Sequence, residues 1–289
     1  MAWNDFLTKL FAKKKHSSQQ KKRIWTILLI VLPFLLGLVL YSLTQVKEVA
    51  AQWWDETWLY RRVIEISNSN AEELTDFQVS LTIDTATLIA DGKMQSNCGD
   101  LRITDWDGNL LPHWIEEGNP GCNSTHTKVW VKVPTIYRGN NATAIFVYYG
   151  NSNVNNIENG HNVFQFFEDF ADYSGWIGET NNFTIGTDGS RQVLRVNGSN
   201  APGEIFKAAN LDSNNYIVEI AIRTTSDAAN QPHPGFIFAS NGTTADYYGV
   251  YLRAASNQLV ETHNGSFGSF ISSQSIDTNW HVYKAQVHA

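Results

Sequence analysis

The chain has 289 residues, of which 12% are aromatic and 17% charged, and a formal net charge of −7. Residues 1–23 contain seven Lys and Arg residues against one Asp, a net +6, which leaves −13 for the remainder. An acidic remainder excludes nucleic acid as a partner, since binding phosphate requires a basic surface.

The first element is an uncharged apolar stretch from Ile24 to Leu43. At 1.5 Å per residue, about 20 helical residues span the roughly 30 Å hydrocarbon core of a bilayer. Positive charge lies only on the N-terminal side, which places the tail 1–23 in the cytoplasm. We therefore predict a single-pass membrane helix or signal anchor over residues 24–45, with all later residues extracytoplasmic.

Val49-Ala50-Ala51 also fits the small-residue rule for signal peptidase, so an alternative is secretion after cleavage at Ala51. The apolar stretch is longer than the 7–15 residues of a usual signal peptide core, which favours an uncleaved anchor.

Residues 53–152 show period-2 hydrophobic patterns separated by turn residues, which are typical of a β-sandwich. We expect Trp106, Trp114 and Trp130 to fill its core, and Trp53, Trp54 and Trp58 to mark the membrane interface or the first strand. Thr85–Lys93 alone has a helical pattern. The predicted strands are Arg62–Ser67, Phe77–Asp84, Leu101–Thr104, Leu110–Glu116, Thr127–Val133 and Ala142–Tyr149.

Cys98 and Cys122 are the only cysteines. In an oxidising compartment they indicate a structural disulfide. A metal site would want further Cys or His ligands at short spacing, and a redox pair would want C-x-x-C, so both alternatives have weak support.

Several stretches of this region carry a family resemblance: Trp58–Asn70, Leu74–Ile89, Gly92–Glu116, Thr127–Pro134 and Val147–Asn151. Together they resemble the domain of unknown function DUF2341. The resemblance implies no activity, but it implies a surface protein, because members of that family occur in bacterial and archaeal surface proteins, often beside lectin-like domains. Both cysteines lie where the family often has them.

After an Asn-rich linker at residues 151–162, residues 163–289 again show many short strands, which predict a second sandwich, a jelly roll. Phe166–Trp176, Tyr216–Thr224, Asp246–Ser266 and Asn279–Val287 resemble the concanavalin A-like lectin/glucanase superfamily. The pattern stops at Ala289 without a turn, so we expect the jelly roll to be incomplete. The predicted strands are Val163–Phe170, Phe183–Gly186, Gln192–Val196, Glu204–Lys207, Tyr216–Thr224, Gly235–Ala239, Tyr248–Ala254, Leu259–Thr262 and Trp280–His288.

Candidate chemistry is sparse, and no catalytic motif or carboxylate pair is recognisable. We therefore expect no enzymatic activity and no obligatory cofactor. The one metal candidate is structural calcium on the carboxylates of Glu168, Asp169 and Asp172, with a solvated strand end as the alternative.

Carbohydrate recognition would use exposed rings, because apolar sugar faces stack on aromatic planes. Strand alternation places Tyr247, Tyr251 and Arg253 on one face, and we add His263 to this candidate ligand site. Ordinary packing of aromatic side chains on a sheet is the alternative. The sequence thus predicts an all-β, membrane-anchored or exported cell-surface protein that binds carbohydrate. The alternatives are a glycan-active hydrolase whose catalytic residues lie outside this chain and a purely structural envelope protein.

Overall fold

A computed structural model describes Val31, Pro33 and residues 53–118, 121–189, 191–196, 203–211, 215–223, 235–238, 247–253, 256–263, 266–274 and 277–288. Side chains are not described at 140–142, 247 and 250–274. Val31 and Pro33 are helical, but the rest of the predicted membrane segment 24–45 lies outside the described residues. Within the described part of the chain, no helix has the length and apolarity needed to cross a bilayer.

Two three-stranded antiparallel sheets form the first half of the described chain. Sheet 1 has the order β1-β6-β3 and sheet 2 the order β2-β5-β4. The strands are β1 (Tyr60–Asn68), β2 (Leu74–Ile83), β3 (Arg102–Thr104), β4 (His113–Ile115), β5 (Thr127–Ile136) and β6 (Gly139–Tyr149), with helix α1 (Thr85–Ala90) between β2 and β3. The Asp84 side chain caps α1 by accepting a hydrogen bond from the Thr87 N–H.

The core lies between the two sheets. On β5, Val129, Val131 and Val133 are almost fully buried, and the intervening residues point outward, as strand alternation requires. Ile103 from β3 and Ile145 from β6 close the core from sheet 1. The predicted first sandwich therefore has its own packed interior.

The loop before β3 is fixed by a disulfide and a buried carboxylate. Cys98 and Cys122 are bonded, with a Cα–Cα distance of 6.0 Å, which confirms the predicted pair. Asp100 accepts hydrogen bonds from the backbone N–H groups of Gln95 (3.0 Å), Gly150 (2.7 Å) and Asn151 (3.2 Å). These bonds tie the loop to the end of β6, which is where the predicted linker begins.

The second half of the described chain is also built from strands, separated into several small sheets. They are the pairs β7–β10, β8–β9 and β11–β16 and the four-stranded sheet β12-β13-β14-β15. The bounds are α2 (Gly160–Val163), β7 (Trp176–Gly178), β8 (Phe183–Asp188), β9 (Arg191–Val196), β10 (Ile205–Lys207), β11 (Tyr216–Ile222), β12 (Gly235–Phe238), β13 (Tyr247–Arg253), β14 (Ser256–His263), β15 (Ser266–Gln274) and β16 (His281–Val287). Strands dominate both halves, which confirms the all-β class.

The predicted strand Val163–Phe170 is wrong. Residues 160–163 form the short helical turn α2, whose N-cap Asn159 accepts a hydrogen bond from the His161 N–H at 2.9 Å. The residues that follow are irregular, because Glu168 and Asp169 accept hydrogen bonds from backbone N–H groups two residues ahead of them. Such local side-chain bonds compete with strand pairing.

The expected core positions of three tryptophans are also wrong. Trp106 is 48% exposed on the turn after β3. Trp114 and Trp130 lie on the outer face of sheet 2, because their neighbours His113, Ile115 and the valines of β5 occupy the inward positions. All three tryptophans therefore lie outside the core between the two sheets.

Candidate ligand-binding cleft

The outer face of sheet 2 carries a pair of tryptophans. Trp114 on β4 and Trp130 on β5 are directly opposite each other in the antiparallel register. Both are half-buried, so their rings are neither in the core nor fully in solvent. We call this pair the aromatic floor.

The segment after α2 packs two phenylalanine rings against the floor. The Phe167 ring lies 4.9 Å from that of Trp114, and the Phe164 ring lies 5.4 Å from that of Trp130, both edge to face. Gly160 permits this approach, because a Cβ atom at that position would lie 2.3 Å from Cε2 of Phe167. Phe164 and Phe167, which lie in the predicted strand Val163–Phe170, instead make this contact with the tryptophans.

Charged groups line the floor on one side. The Glu116 carboxylate accepts a hydrogen bond from the Trp130 indole N–H at 2.9 Å and pairs with the Lys128 ammonium at 2.8 Å. Lys128 also lies 4.5 Å from the centre of the Trp130 ring and 3.7 Å from Glu219 on β11. These contacts hold the Trp130 ring in one orientation, with the ammonium over its face and the carboxylate at its indole N–H.

A second charged group lies at the end of β4. Partial desolvation raises the pKa of the Glu117 carboxyl, and the negative charges of Glu158 and Asp169 add to this, while Arg191 opposes it. Arg191 also donates a hydrogen bond to the Glu117 carbonyl oxygen. Both carboxylate oxygens of Glu158 accept hydrogen bonds, one from the Ile115 backbone N–H and the other from the Asn156 side-chain amide.

These groups border a cleft of about 2540 Å³ between sheet 2 and the strands of the second half. Exposed apolar side chains, including Phe77 at 46% and Phe166 at 36%, also line it. Aromatic rings beside fixed hydrogen-bonding groups in a concave space are the combination that binds small polar ligands.

The predicted calcium carboxylates are near this cleft but are each engaged with protein groups. Glu168 pairs with Lys207, and Asp169 lies 3.9 Å from His161. Hydrogen bonds from Ser174 hold the pKa of the Asp172 carboxyl below its usual range. Among the residues that the structure describes, no group of three His, Cys, Asp or Glu is placed to hold a metal ion. Calcium binding stays a prediction.

The predicted ligand residues Tyr247, Tyr251, Arg253 and His263 lie on β13 and β14, where the structure describes the backbone alone. The antiparallel register sets Tyr247 opposite Thr262 and Arg253 opposite Ser256. By alternation, positions 247, 251 and 253 share one face of the sheet and position 263 falls on the other. The register therefore brings three of the four positions to one face.

Sequence reasoning missed the cleft because it assigned Trp114 and Trp130 to the core. The signal was available in the stretches HWI and TKVWVKV, where each tryptophan is flanked by buried positions. In a half-buried strand, residues on either side of an inward position point outward. Nothing local in the sequence indicates that Phe164 and Phe167 lie over the tryptophans.

No curated protein and no solved structure matches this chain. Residues 97–179, less than a third of the chain, match the family described as "Domain of unknown function (DUF2341)". The match overlaps the region 53–152 that carries the resemblance and continues beyond it, through α2 to β7. The resemblance is thereby confirmed over residues 97–179: this part of the chain is similar to the DUF2341 domain.

Proposed function

We propose that the protein is a membrane-anchored or exported cell-surface protein that binds carbohydrate, and that the cleft over the aromatic floor is its binding site. The observation that carries the proposal is the outward pair Trp114 and Trp130, with Glu116 and Lys128 fixed beside it. In this proposal residues 1–23 are cytoplasmic, residues 24–45 anchor the chain, and the later residues are extracytoplasmic.

The chemistry of the cleft suits a sugar. The apolar face of a pyranose ring stacks on an indole plane, and its hydroxyl groups pair with carboxylate and ammonium groups. Glu116 and Lys128 already bond to each other and to Trp130, so they offer their remaining hydrogen-bonding capacity in a fixed geometry. Preorganised groups of this kind reduce the entropy cost of binding.

The second half of the chain enters the proposal as a jelly roll of the concanavalin A-like type. Positions 247, 251 and 253 on one face of β13 form a second candidate surface for sugar, and position 263 on β14 lies on the opposite face of that sheet. Structural calcium at Glu168, Asp169 and Asp172 belongs to the same proposal, and a calcium-dependent rise in Tm would support it.

The test is a glycan array with the full-length chain in detergent micelles, followed by titration calorimetry on the best glycan. We expect Trp114→Ala to weaken binding by about tenfold, the loss expected from one stacked ring. The matched control is Tyr137→Ala, because Tyr137 is an exposed aromatic residue of the same sandwich that does not line the cleft. An array without hits, or equal affinity for Trp114→Ala and the original chain, would contradict the proposal.

A glycan-active hydrolase is the second candidate, with its catalytic residues expected outside this chain. Within the chain, Glu117 lines the cleft, and its raised pKa suits a general acid, which must hold its proton near the working pH. Turnover of the array's best glycan that disappears in Glu117→Gln would support this alternative. If the chain neither binds nor cleaves any glycan, a purely structural role in the envelope is the reading that remains.

A further inference from the structure

The outer face of sheet 1 is covered by tryptophans from outside the sheet. Trp53 and Trp54 lie 5.6 and 5.7 Å from the Tyr148 ring, and Trp106 lies 5.5 Å from the Phe146 ring. Phe146 and Tyr148 are consequently only 5% and 1% exposed, although they point away from the main core.

The covering side chains are themselves open to solvent. Trp53 is 36% exposed, Trp106 is 48% exposed, and Val63, the cross-strand partner of Phe146, is 53% exposed. Between them, the Arg61 guanidinium lies 4.9 Å from the Trp53 ring and 4.7 Å from the Phe146 ring. We call Trp53, Arg61, Val63 and Trp106 the Trp surface.

The Trp surface begins at Trp53, close in sequence to the predicted membrane segment. The predicted membrane segment ends at residue 45, eight residues before Trp53. Even a fully extended connection of that length reaches no more than about 26–29 Å. In an anchored chain, covalent continuity therefore keeps Trp53, the first residue of the Trp surface, within that distance of the bilayer.

We propose that the Trp surface docks on the lipid headgroups of the outer leaflet. Tryptophan is the residue that prefers the membrane–water interface, because its ring is apolar while its indole N–H seeks a polar partner. The Arg61 guanidinium lies among these rings on the same surface, and the planar guanidinium geometry suits a lipid phosphate. The proposal rests on the membrane anchor of the proposed function.

The test uses the full chain reconstituted in phosphatidylcholine vesicles that carry bromine near the headgroup end of the acyl chains. Bromine quenches nearby tryptophans, including Trp25 within the predicted membrane segment. We expect the double variant Trp53→Phe/Trp106→Phe to lose about two thirds of the quenchable emission, because it removes two of the three interfacial tryptophans Trp25, Trp53 and Trp106. The control is Trp114→Phe, which changes a cleft tryptophan and leaves the quenchable emission unchanged.

The outcomes separate the two proposals. If the chain sediments with the vesicles and the double variant shows the original quenchable emission, the docking proposal is overturned and the anchor stands. If the chain does not sediment with the vesicles, the anchor and the docking both fail, whereas glycan binding is decided by its own titration. A lower quenchable emission in the double variant alone supports docking.

Discussion

The buried side chain of His113 makes the sandwich sensitive to acid. His113 is 3% exposed on β4, and burial lowers its pKa to about 4, with a further contribution from the positive charge of Arg102. The ordinary pKa of a histidine is about 6.5, so the unfolded chain binds this proton more tightly than the folded chain does. Stability is therefore full above about pH 6.5 and is lost as the pH falls from 6.5 towards 4.

The size of this loss follows from the pKa difference. A difference of about 2.5 units corresponds to about 3 kcal/mol, because each unit is worth about 1.4 kcal/mol. We expect the free energy of unfolding of the sandwich to fall by about this amount between pH 7 and pH 4. Glu117 acts in the opposite direction, since its raised pKa makes the folded chain bind that proton more tightly.

Urea denaturation across this pH range measures the effect, with His113→Gln as the test variant. Glutamine does not titrate, so this variant should be less stable at pH 7 but should show a flatter pH dependence. His126→Gln is the control, because His126 is exposed on the loop before β5. An equal pH dependence in His113→Gln and the original chain would refute the assignment.

Three further changes test the fold and the cleft. Asp100→Ala leaves three backbone N–H groups without their acceptor, and we expect a loss of about 3 kcal/mol or more in urea denaturation. Replacing Cys98 and Cys122 by Ala should cost about 3 kcal/mol, measured in the same way, because the disulfide restricts the unfolded chain. Gly160→Ala should displace the Phe167 ring, with a cost of about 1–3 kcal/mol and an altered glycan affinity measured by calorimetry.

Each change has an outcome that would contradict its reasoning. Asp107 lies on an exposed turn, so Asp107→Ala is the control. If Asp100→Ala destabilised the chain no more than Asp107→Ala does, the buried hydrogen bonds of Asp100 would make no net contribution to stability. If the double alanine variant were as stable as the original chain, the disulfide would make no contribution to the stability of the fold. Unchanged stability and affinity in Gly160→Ala would mean that the Phe167 ring has room to move.

The sequence predicts the strands of the first sandwich well because their alternation is regular and their ends carry turn residues. Thr127–Val133, for example, lies within β5, and Cys98 pairs with Cys122 as expected. It fails at residues 163–170, where local side-chain bonds and the contacts of Phe164 and Phe167 with the tryptophans outweigh the strand pattern. Long-range packing of this kind leaves no periodic signal in the sequence.

The extent of the family match bears on how the cleft is built. Residues 97–179 contain Trp114 and Trp130, which form the floor, and also Phe164 and Phe167, which pack on it from beyond the predicted linker. A domain that ended at residue 152 would leave both tryptophans on an open face, an apolar patch that a soluble surface rarely keeps uncovered. The segment after α2 therefore covers part of this face and forms one wall of the cleft, and the half-buried tryptophans line the cleft beside it. The floor and one wall of the cleft then belong to the DUF2341-like part of the chain, and the facing strands β8 to β12 and β16 come from the region expected to be lectin-like.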